Sequence, residues 1–167
     1  MQILANKKIV LISMITTVCM FILVMFIANP IIDTKNGIDV ILLQLMFDKH
    51  EAIELVSHWD VAVFNKWIIT DYLYALSYTV FFVSLLSWLI KVKDIPNAHR
   101  YHILIYIAML AGMLDWVENS LELWFLYDVE YFSATLFWIH SLLASIKWLC
   151  LPLIMFGIIK LYRVKNA

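Results

Sequence analysis

Four long apolar stretches determine what this chain can fold into. A helix needs about 20 mostly apolar residues to cross a hydrocarbon core roughly 30 Å thick. Stretches of that length occur at residues 9–28, 67–90, 101–126 and 132–159. We therefore predict an all-α, polytopic membrane protein, with residues 1–167 forming a single domain built as a four-transmembrane-helix bundle.

The composition agrees with a membrane protein and removes several functional classes. Hydrophobic residues make up 64% of the chain, charged residues 15%, and the mean hydropathy is +0.87. The net charge of −1 gives no basic field to attract nucleic acid, so we expect no nucleic-acid partner. The two cysteines, Cys19 and Cys150, lie in separate apolar runs and offer neither a disulfide framework nor a thiolate metal cluster.

Local signals place the ends of the predicted helices. Asn29-Pro30 should stop the first helix, Asn97 should cap the third and Ser133 should cap the fourth. Pro152 lies inside the fourth span and should bend that helix near Lys147, because proline removes a backbone donor and clashes with the preceding turn.

The charges in the connections predict the orientation, because Lys and Arg are retained on the cytoplasmic side. The two termini and the loop between the second and third spans hold eight cations and one acid: Lys7, Lys8, Lys91, Lys93, Arg100, Lys160, Arg163 and Lys165, with Asp94. The other two connections hold three cations and eight acids: Lys35, Lys49, Lys66, Asp33, Asp39, Asp48, Glu51, Glu54, Asp60, Asp128 and Glu130. We predict a multi-pass protein of the cell membrane with both termini in the cytoplasm.

The first outer connection contains a segment, about residues 38–66, that is too polar to span a membrane. Asp48 and Glu51 have the spacing of a capping box, and apolar residues follow at helical intervals up to Trp59. We expect a short amphipathic helix here, with its apolar face against the membrane interface or the mouth of the bundle.

Ionisable residues at membrane depth are costly, and they mark a function or a paired structural contact. The candidates fall on one face of each of three spans: Asp71, Tyr74 and Tyr78 on the second, Asp115, Glu118, Asn119 and Glu122 on the third, and His140 and Lys147 on the fourth. The four on the third span follow the i, i+3, i+4, i+7 spacing of a single helix face. Gly112, one turn earlier, should allow a neighbouring helix to approach closely.

The charges of this polar set do not balance. Lys147 and Asp115 lie at similar depth, so a buried ion pair that only fixes helix register is one interpretation. Four carboxylates against one ammonium would still leave a charge of −3 if all were ionised. Some carboxyls must then be protonated, or water, a cation or a cationic ligand must be present.

The histidines give weaker signals. His50, Glu54 and His58 are spaced i, i+4, i+8 and can present metal ligands on one helix face, but solvated side chains are the simpler interpretation. Haem ligation needs two histidines at matching depth, whereas His102 and His140 lie in opposite halves of the membrane. We expect neither a metal nor a cofactor.

Two families share the layout without sharing motifs. Four spans with cytoplasmic termini are similar to lipoprotein signal peptidases, which are membrane aspartyl proteases, but the Asn- and Gly-rich motifs around their aspartates are missing from TDYLYALSY and AGMLDWVEN. The outer amphipathic segment also resembles that of sterol-isomerase-related and sigma-2-type proteins. Architecture alone assigns no function.

Several functions fit these observations. The leading hypothesis is an outward-facing acidic pocket that binds a membrane lipid or amphiphilic small molecule through the nine polar residues of the three spans. An alternative is a lipid-modifying enzyme in which Asp115 and Glu118 form a catalytic acid–base pair. A third is a proton or cation pathway, which would need a homo-oligomer to become continuous. A helper subunit, whose polar groups only set assembly, is the fourth.

Overall fold

The computed structural model describes residues 4–28, 39–93 and 98–164. Every regular element in these ranges is helical: α1 (Lys7–Ala28), α2 (Asp39–Leu45), α3 (Lys49–Val56), α4 (Val61–Val92), a 3-10 turn at Ala98–Tyr101, α5 (His102–Tyr127) and α6 (Ala134–Arg163). Four of the helices, α1, α4, α5 and α6, are long and apolar enough to cross a membrane. The predicted all-helical class and the four helices suited to a membrane are confirmed at this level.

The first long helix packs along α4 and leaves most of its apolar side chains exposed. Ser13 is buried, and its Oγ lies 3.2 Å from Ser84 Oγ of α4. Further along α1, the Phe21 ring lies 6.0 Å from the Tyr74 ring, measured between centroids. Because the residue numbers rise along α1 as they fall along α4, the two helices are antiparallel.

The second long helix begins earlier than the predicted span. The carboxylate of Asp60 accepts hydrogen bonds from the backbone of Ala62 at 2.8 Å and of Val63 at 3.2 Å, which makes Asp60 the N-cap. A cap of this kind satisfies backbone donors that the first helical turn leaves free. The helix therefore starts at Val61 and not near Trp67, and it includes polar residues that the hydropathy signal had excluded.

The other predicted helix ends, and the predicted bend at Pro152, differ in outcome. The predicted cap of the fourth span is confirmed, since Ser133 Oγ accepts a hydrogen bond from Leu136 N at 3.1 Å. Pro152 lies inside α6, which continues to Arg163; the bend predicted there stays a prediction. The signals at Asn29-Pro30 and Asn97 lie outside the described residues, as do four of the loop charges: Asp33, Lys35, Asp94 and Lys165.

Helix α5 packs against both α4 and α6. Gly112 lies at the contact with α4, where a methyl group in place of its hydrogen would overlap Thr79 Oγ1. The close approach predicted from this glycine is therefore confirmed. On the side of α5 that faces α6, the Phe125 and Phe137 rings pack together, with their centroids 5.0 Å apart and their planes tilted by 52°.

The connection between α1 and α4 carries two short helices. Asp48 caps α3 by accepting from His50 N at 2.7 Å, as the capping-box spacing predicted. The preceding helix, α2, was not predicted, and it packs against α6. Ser141 of α6 donates a hydrogen bond to the carbonyl of Met46, which ties the α2–α3 junction to α6.

Candidate functional site

The polar face of α5 points into the protein. Its four members have exposed fractions between 0% and 4%, and they are Asp115, Glu118, Asn119 and Glu122. Their shared face follows from the helical period, which brings every third or fourth residue to the same side. The inward orientation predicted from the spacing is therefore confirmed.

Lys147 of α6 pairs with two carboxylates of α5. Its Nζ lies 3.0 Å from Asp115 Oδ1 and 2.7 Å from Glu118 Oε2. The contact with Asp115 is a directed hydrogen bond, whereas the contact with Glu118 is an ion pair without hydrogen-bond geometry. A single ammonium group thus forms ion pairs with two buried carboxylates.

Helix α4 supplies two further partners to the same face of α5. The Tyr78 hydroxyl donates to Asp115 Oδ2 at 2.8 Å, and it also lies 3.2 Å from the carbonyl of Ala111. Asp71 accepts a hydrogen bond from the amide of Asn119, from Nδ2 to Oδ2, at 2.8 Å. Asp115 is therefore bound on both oxygens, while the bond to Asp71 comes from a neutral group.

The other end of the polar face meets His140 of α6. His140 Nε2 lies 3.2 Å from Glu122 Oε1, and both side chains are buried. The side chain of Gln44 from α2 reaches Glu122 as well. Gln44 also accepts a hydrogen bond from the Trp148 indole at 3.1 Å.

The sequence interpretation missed Gln44 and Trp148 as members of this region. One signal was available for Gln44, which is a lone amide in the apolar run ILLQLM. Trp148 gives no distinct signal, because an indole in an apolar helix usually serves packing or lies in an interfacial belt.

Several buried polar atoms of the cluster lack a hydrogen-bond partner in the described part of the chain. They are both carboxylate oxygens of Glu118, Glu122 Oε2 and Asn119 Oδ1, although Glu118 Oε2 is in ion-pair contact with Lys147. Together with Asp71 and Asp115, the cluster holds four carboxyl groups and one ammonium, so full ionisation would give −4 + 1 = −3. Burying such an excess of negative charge is costly unless protons or a cation offset it.

A partly open cavity of about 450 Å³ lies beside this cluster. Five of the predicted site residues line it: Asp71, Tyr74, Tyr78, Asp115 and Lys147. The other four predicted residues, Glu118, Asn119, Glu122 and His140, are not among the lining residues and lie behind them. The predicted set is thus brought together, but it divides into a cavity surface and a buried layer.

The cavity walls come in part from α1 and α2, which the sequence had not associated with the site. Apolar and aromatic side chains of α1, α2, α4 and α6 form most of the lining: Phe21, Val24, Met25, Ala28, Val40, Ile41, Trp67, Phe81, Phe82, Trp148 and Leu151. The sequence predicted a pocket formed by polar residues of the other three spans. In the structure α1 and α2 form one side of the cavity, and α5 contributes Asp115 alone.

The histidine pattern of the outer connection does not form a ligand group. Helix α3 ends at Val56, so the i, i+4, i+8 face from His50 through Glu54 does not extend to His58. All three side chains are exposed. Within residues 4–28, 39–93 and 98–164, the group whose ligand atoms do converge is Glu118, Glu122 and His140.

Comparisons with protein-family models, with curated proteins and with solved structures find no match to this chain.

Proposed function

We propose that the protein binds an amphiphilic small molecule or lipid whose head group is cationic and whose body is apolar. The cavity of about 450 Å³ is the binding site in this proposal. Ligand pockets of roughly 300–1,000 Å³ with apolar walls and a few placed polar groups are typical of small-molecule sites.

The position of Asp71, a buried carboxyl group at the cavity without a cationic partner in the described part of the chain, carries the proposal. Asp71 lines the cavity and is only 7% exposed. Its hydrogen bond comes from the neutral amide of Asn119, while the nearby ammonium of Lys147 contacts Asp115 and Glu118 instead. A cationic head group beside Asp71 would supply the missing counter-charge.

The walls suit the rest of such a ligand. Trp67, Phe81 and Phe82 of α4 and Trp148 of α6 present aromatic surface to the cavity, and Phe21 and Met25 of α1 add apolar surface. Aromatic faces attract ammonium groups through cation–π interactions, and apolar walls favour an alkyl or ring body through the hydrophobic effect. The ligand would lie with its head at Asp71 and its body along α1.

The proposal also includes the location and orientation of the protein in the membrane. The four long helices form a transmembrane bundle in the cell membrane, with both termini in the cytoplasm and α2 and α3 on the outer side. The excess of Lys and Arg at the terminal ends supports this orientation. The contribution of α2 to the cavity supports an entrance in the outer half of the membrane.

Ligand binding is favoured over the enzyme alternative by the positions of the two catalytic candidates. An acid–base pair must reach the same substrate. Asp115 lines the cavity, but Glu118 does not. Lys147 lines the cavity as well and pairs with both carboxylates. Asp71, Tyr74 and Tyr78 remain as the cavity-facing anchors.

The experiment compares three probes of equal chain length on the purified protein in nanodiscs: a long-chain primary amine, the alcohol and the carboxylate. We expect the amine to raise the thermal midpoint and the other two to leave it unchanged. Asp71→Asn should weaken amine binding by about 1.5–3 kcal/mol, or roughly tenfold to a hundredfold in Kd, because a charge-assisted contact is lost. Glu54→Gln, on the exposed face of α3, is the matched control and should bind like the unsubstituted protein. Equal responses to all three probes would contradict the proposal.

A further inference from the structure

Three metal-ligating side chains meet behind the cavity, where α5 faces α6. Glu118 and Glu122 lie one turn apart on α5, and His140 comes from α6. One ligand atom from each lies within 4.8 Å of the other two. All three side chains are buried, with exposed fractions of 0% or 1%.

Unpartnered oxygens distinguish this group from an ordinary acidic cluster. Glu118 Oε1 and Glu122 Oε2 are buried and have no hydrogen-bond partner among the residues that the structure describes. A buried polar atom without a partner costs about 1–3 kcal/mol, and a charged one costs more. Two such atoms on neighbouring glutamates can be satisfied by protons or by a bound cation, and they lie where an imidazole nitrogen also converges.

We propose that Glu118, Glu122 and His140 bind a divalent transition-metal ion of the Zn²⁺ or Mn²⁺ kind. Carboxylate oxygens and a neutral imidazole nitrogen are the ligands that these ions accept, and no thiolate is required. Three protein ligands leave at least one coordination position for water or another small ligand.

The distances between the ligand atoms are close to those found around a bound metal ion. Metal–ligand bonds of about 2.0–2.2 Å place two tetrahedral ligands about 3.4 Å apart. His140 Nε2 and Glu122 Oε1 are 3.2 Å apart, which matches that separation. Glu118 completes the group by a small side-chain movement, since no ligand atom is more than 4.8 Å from the others.

The neighbouring charges also favour a cation. Lys147 contacts Glu118 through Oε2, so ligation through Oε1 leaves that ion pair in place. A divalent ion would change the formal charge of the ionised cluster from −3 to −1. Ser141 Oγ lies 3.5 Å from His140 Nδ1. A hydrogen bond between these two atoms can hold the imidazole ring with Nε2 toward Glu122.

This site is separate from the proposed ligand cavity. None of the three metal ligands lines the cavity, and the metal proposal does not depend on an amphiphile binding there. Lys147 links the two places, because it lines the cavity and contacts Glu118.

The test is a metal titration of the full chain in detergent after chelator treatment, with bound Zn²⁺ and Mn²⁺ counted after gel filtration. We expect one tightly bound ion per chain. Glu122→Gln and His140→Gln should each weaken Zn²⁺ binding about tenfold or more, because each removes a ligand. The matched control is His50→Gln with His58→Gln, which removes the two exposed histidines of the α1–α4 connection and should leave the affinity unchanged.

Binding that survives both site substitutions, or that disappears in the His50/His58 control, would overturn the proposal. X-ray absorption of the Zn²⁺-loaded, unsubstituted protein keeps the test decisive if a site variant fails to fold. One histidine and oxygen ligands around the ion would support the proposal. Two histidines in the ligand shell, or no bound Zn²⁺, would overturn it.

Discussion

Lys147 lies 3.0 Å from Asp115, between facing turns of α6 and α5, and its ammonium also reaches Glu118 at 2.7 Å. All three groups are buried, with exposed fractions of 4% or less. One cation therefore offsets part of the charge of two carboxylates in a region shielded from water. The stability of the α5–α6 contact should depend strongly on this one side chain.

Lys147→Met should destabilise the protein by about 3–5 kcal/mol, because it leaves buried carboxylates without their cation. Equilibrium unfolding in mixed micelles measures the loss. Lys66→Met, at an exposed position of α4, is the control and should change the stability by less than about 0.5 kcal/mol. Equal losses for the two variants would mean that the ion pair contributes nothing specific.

Adding Glu118→Gln to Lys147→Met should recover part of that loss, because it removes one of the uncompensated charges. Residues in contact show coupling energies of about 0.5–3 kcal/mol in such double-mutant cycles. The cycle is measured by the same unfolding experiment. Strict additivity of the two substitutions would contradict the ion pair between them.

Asp71→Asn should leave the ligand-free protein as stable as before or make it more stable. The substitution removes a buried charge whose hydrogen bond comes from the neutral Asn119, and the new amide oxygen can still accept that bond. Thermal unfolding without added amphiphile measures the effect. A large destabilisation would show that the charge of Asp71 serves the fold, which would weaken its assignment as a ligand anchor.

Gly112→Ala should destabilise the α4–α5 contact by about 1–3 kcal/mol, since the added methyl group overlaps Thr79 Oγ1. Thr79→Ala removes that oxygen, so the double variant should regain part of the stability. Unfolding measurements on the two single variants and the double variant give the result. No rescue by Thr79→Ala would mean that the two helices are not this close at Gly112.

Cysteines at positions 13 and 84 should form a disulfide across α1 and α4, because the serine Oγ atoms at these positions are 3.2 Å apart. The experiment uses a background without Cys19 and Cys150 and follows cross-linking by a gel shift after protease cleavage in the α1–α4 connection. Ser13→Cys paired with Ser145→Cys of α6 is the control and should not cross-link. Equal cross-linking of both pairs would contradict the antiparallel packing of α1 on α4.

Much of the buried cluster follows from helical periodicity. The spacing of Asp115, Glu118, Asn119 and Glu122 places them on one face, and polar side chains at membrane depth must turn away from lipid. The caps at Asp48 and Ser133 can be predicted for a similar reason, because their side chains accept hydrogen bonds from backbone N–H groups two or three residues away. Local rules thus predict what depends on near neighbours in the chain.

The cavity could not be predicted in this way. Apolar residues such as Phe21 and Met25 suit lipid, a protein neighbour or a cavity wall equally well, so the sequence does not distinguish these surroundings. Helix α2 is only seven residues long and gives no clear periodic signal. The separation of Glu118 from the cavity surface likewise depends on how three helices rotate against each other, and no local rule sets that rotation.

The convergence of Glu118, Glu122 and His140 could not be predicted for the same reason. Glu118 and Glu122 share a helix face, but His140 is 18 positions further along the chain than Glu122. Only the antiparallel packing of α5 and α6 brings its imidazole to the glutamates.

Photoaffinity labelling tests the central claim most directly. A long-chain primary amine with a diazirine near the end of its chain is cross-linked to the protein in nanodiscs, and the labelled residues are identified by mass spectrometry. Labels should concentrate on the cavity walls, above all at Phe21, Met25 and Leu151, and an excess of the plain amine should suppress them. Asp71→Asn should reduce labelling about tenfold or more, because the head group loses its counter-charge. Labels spread over exposed residues such as Phe26 and Phe156, with no effect of competitor or of Asp71→Asn, would contradict the account.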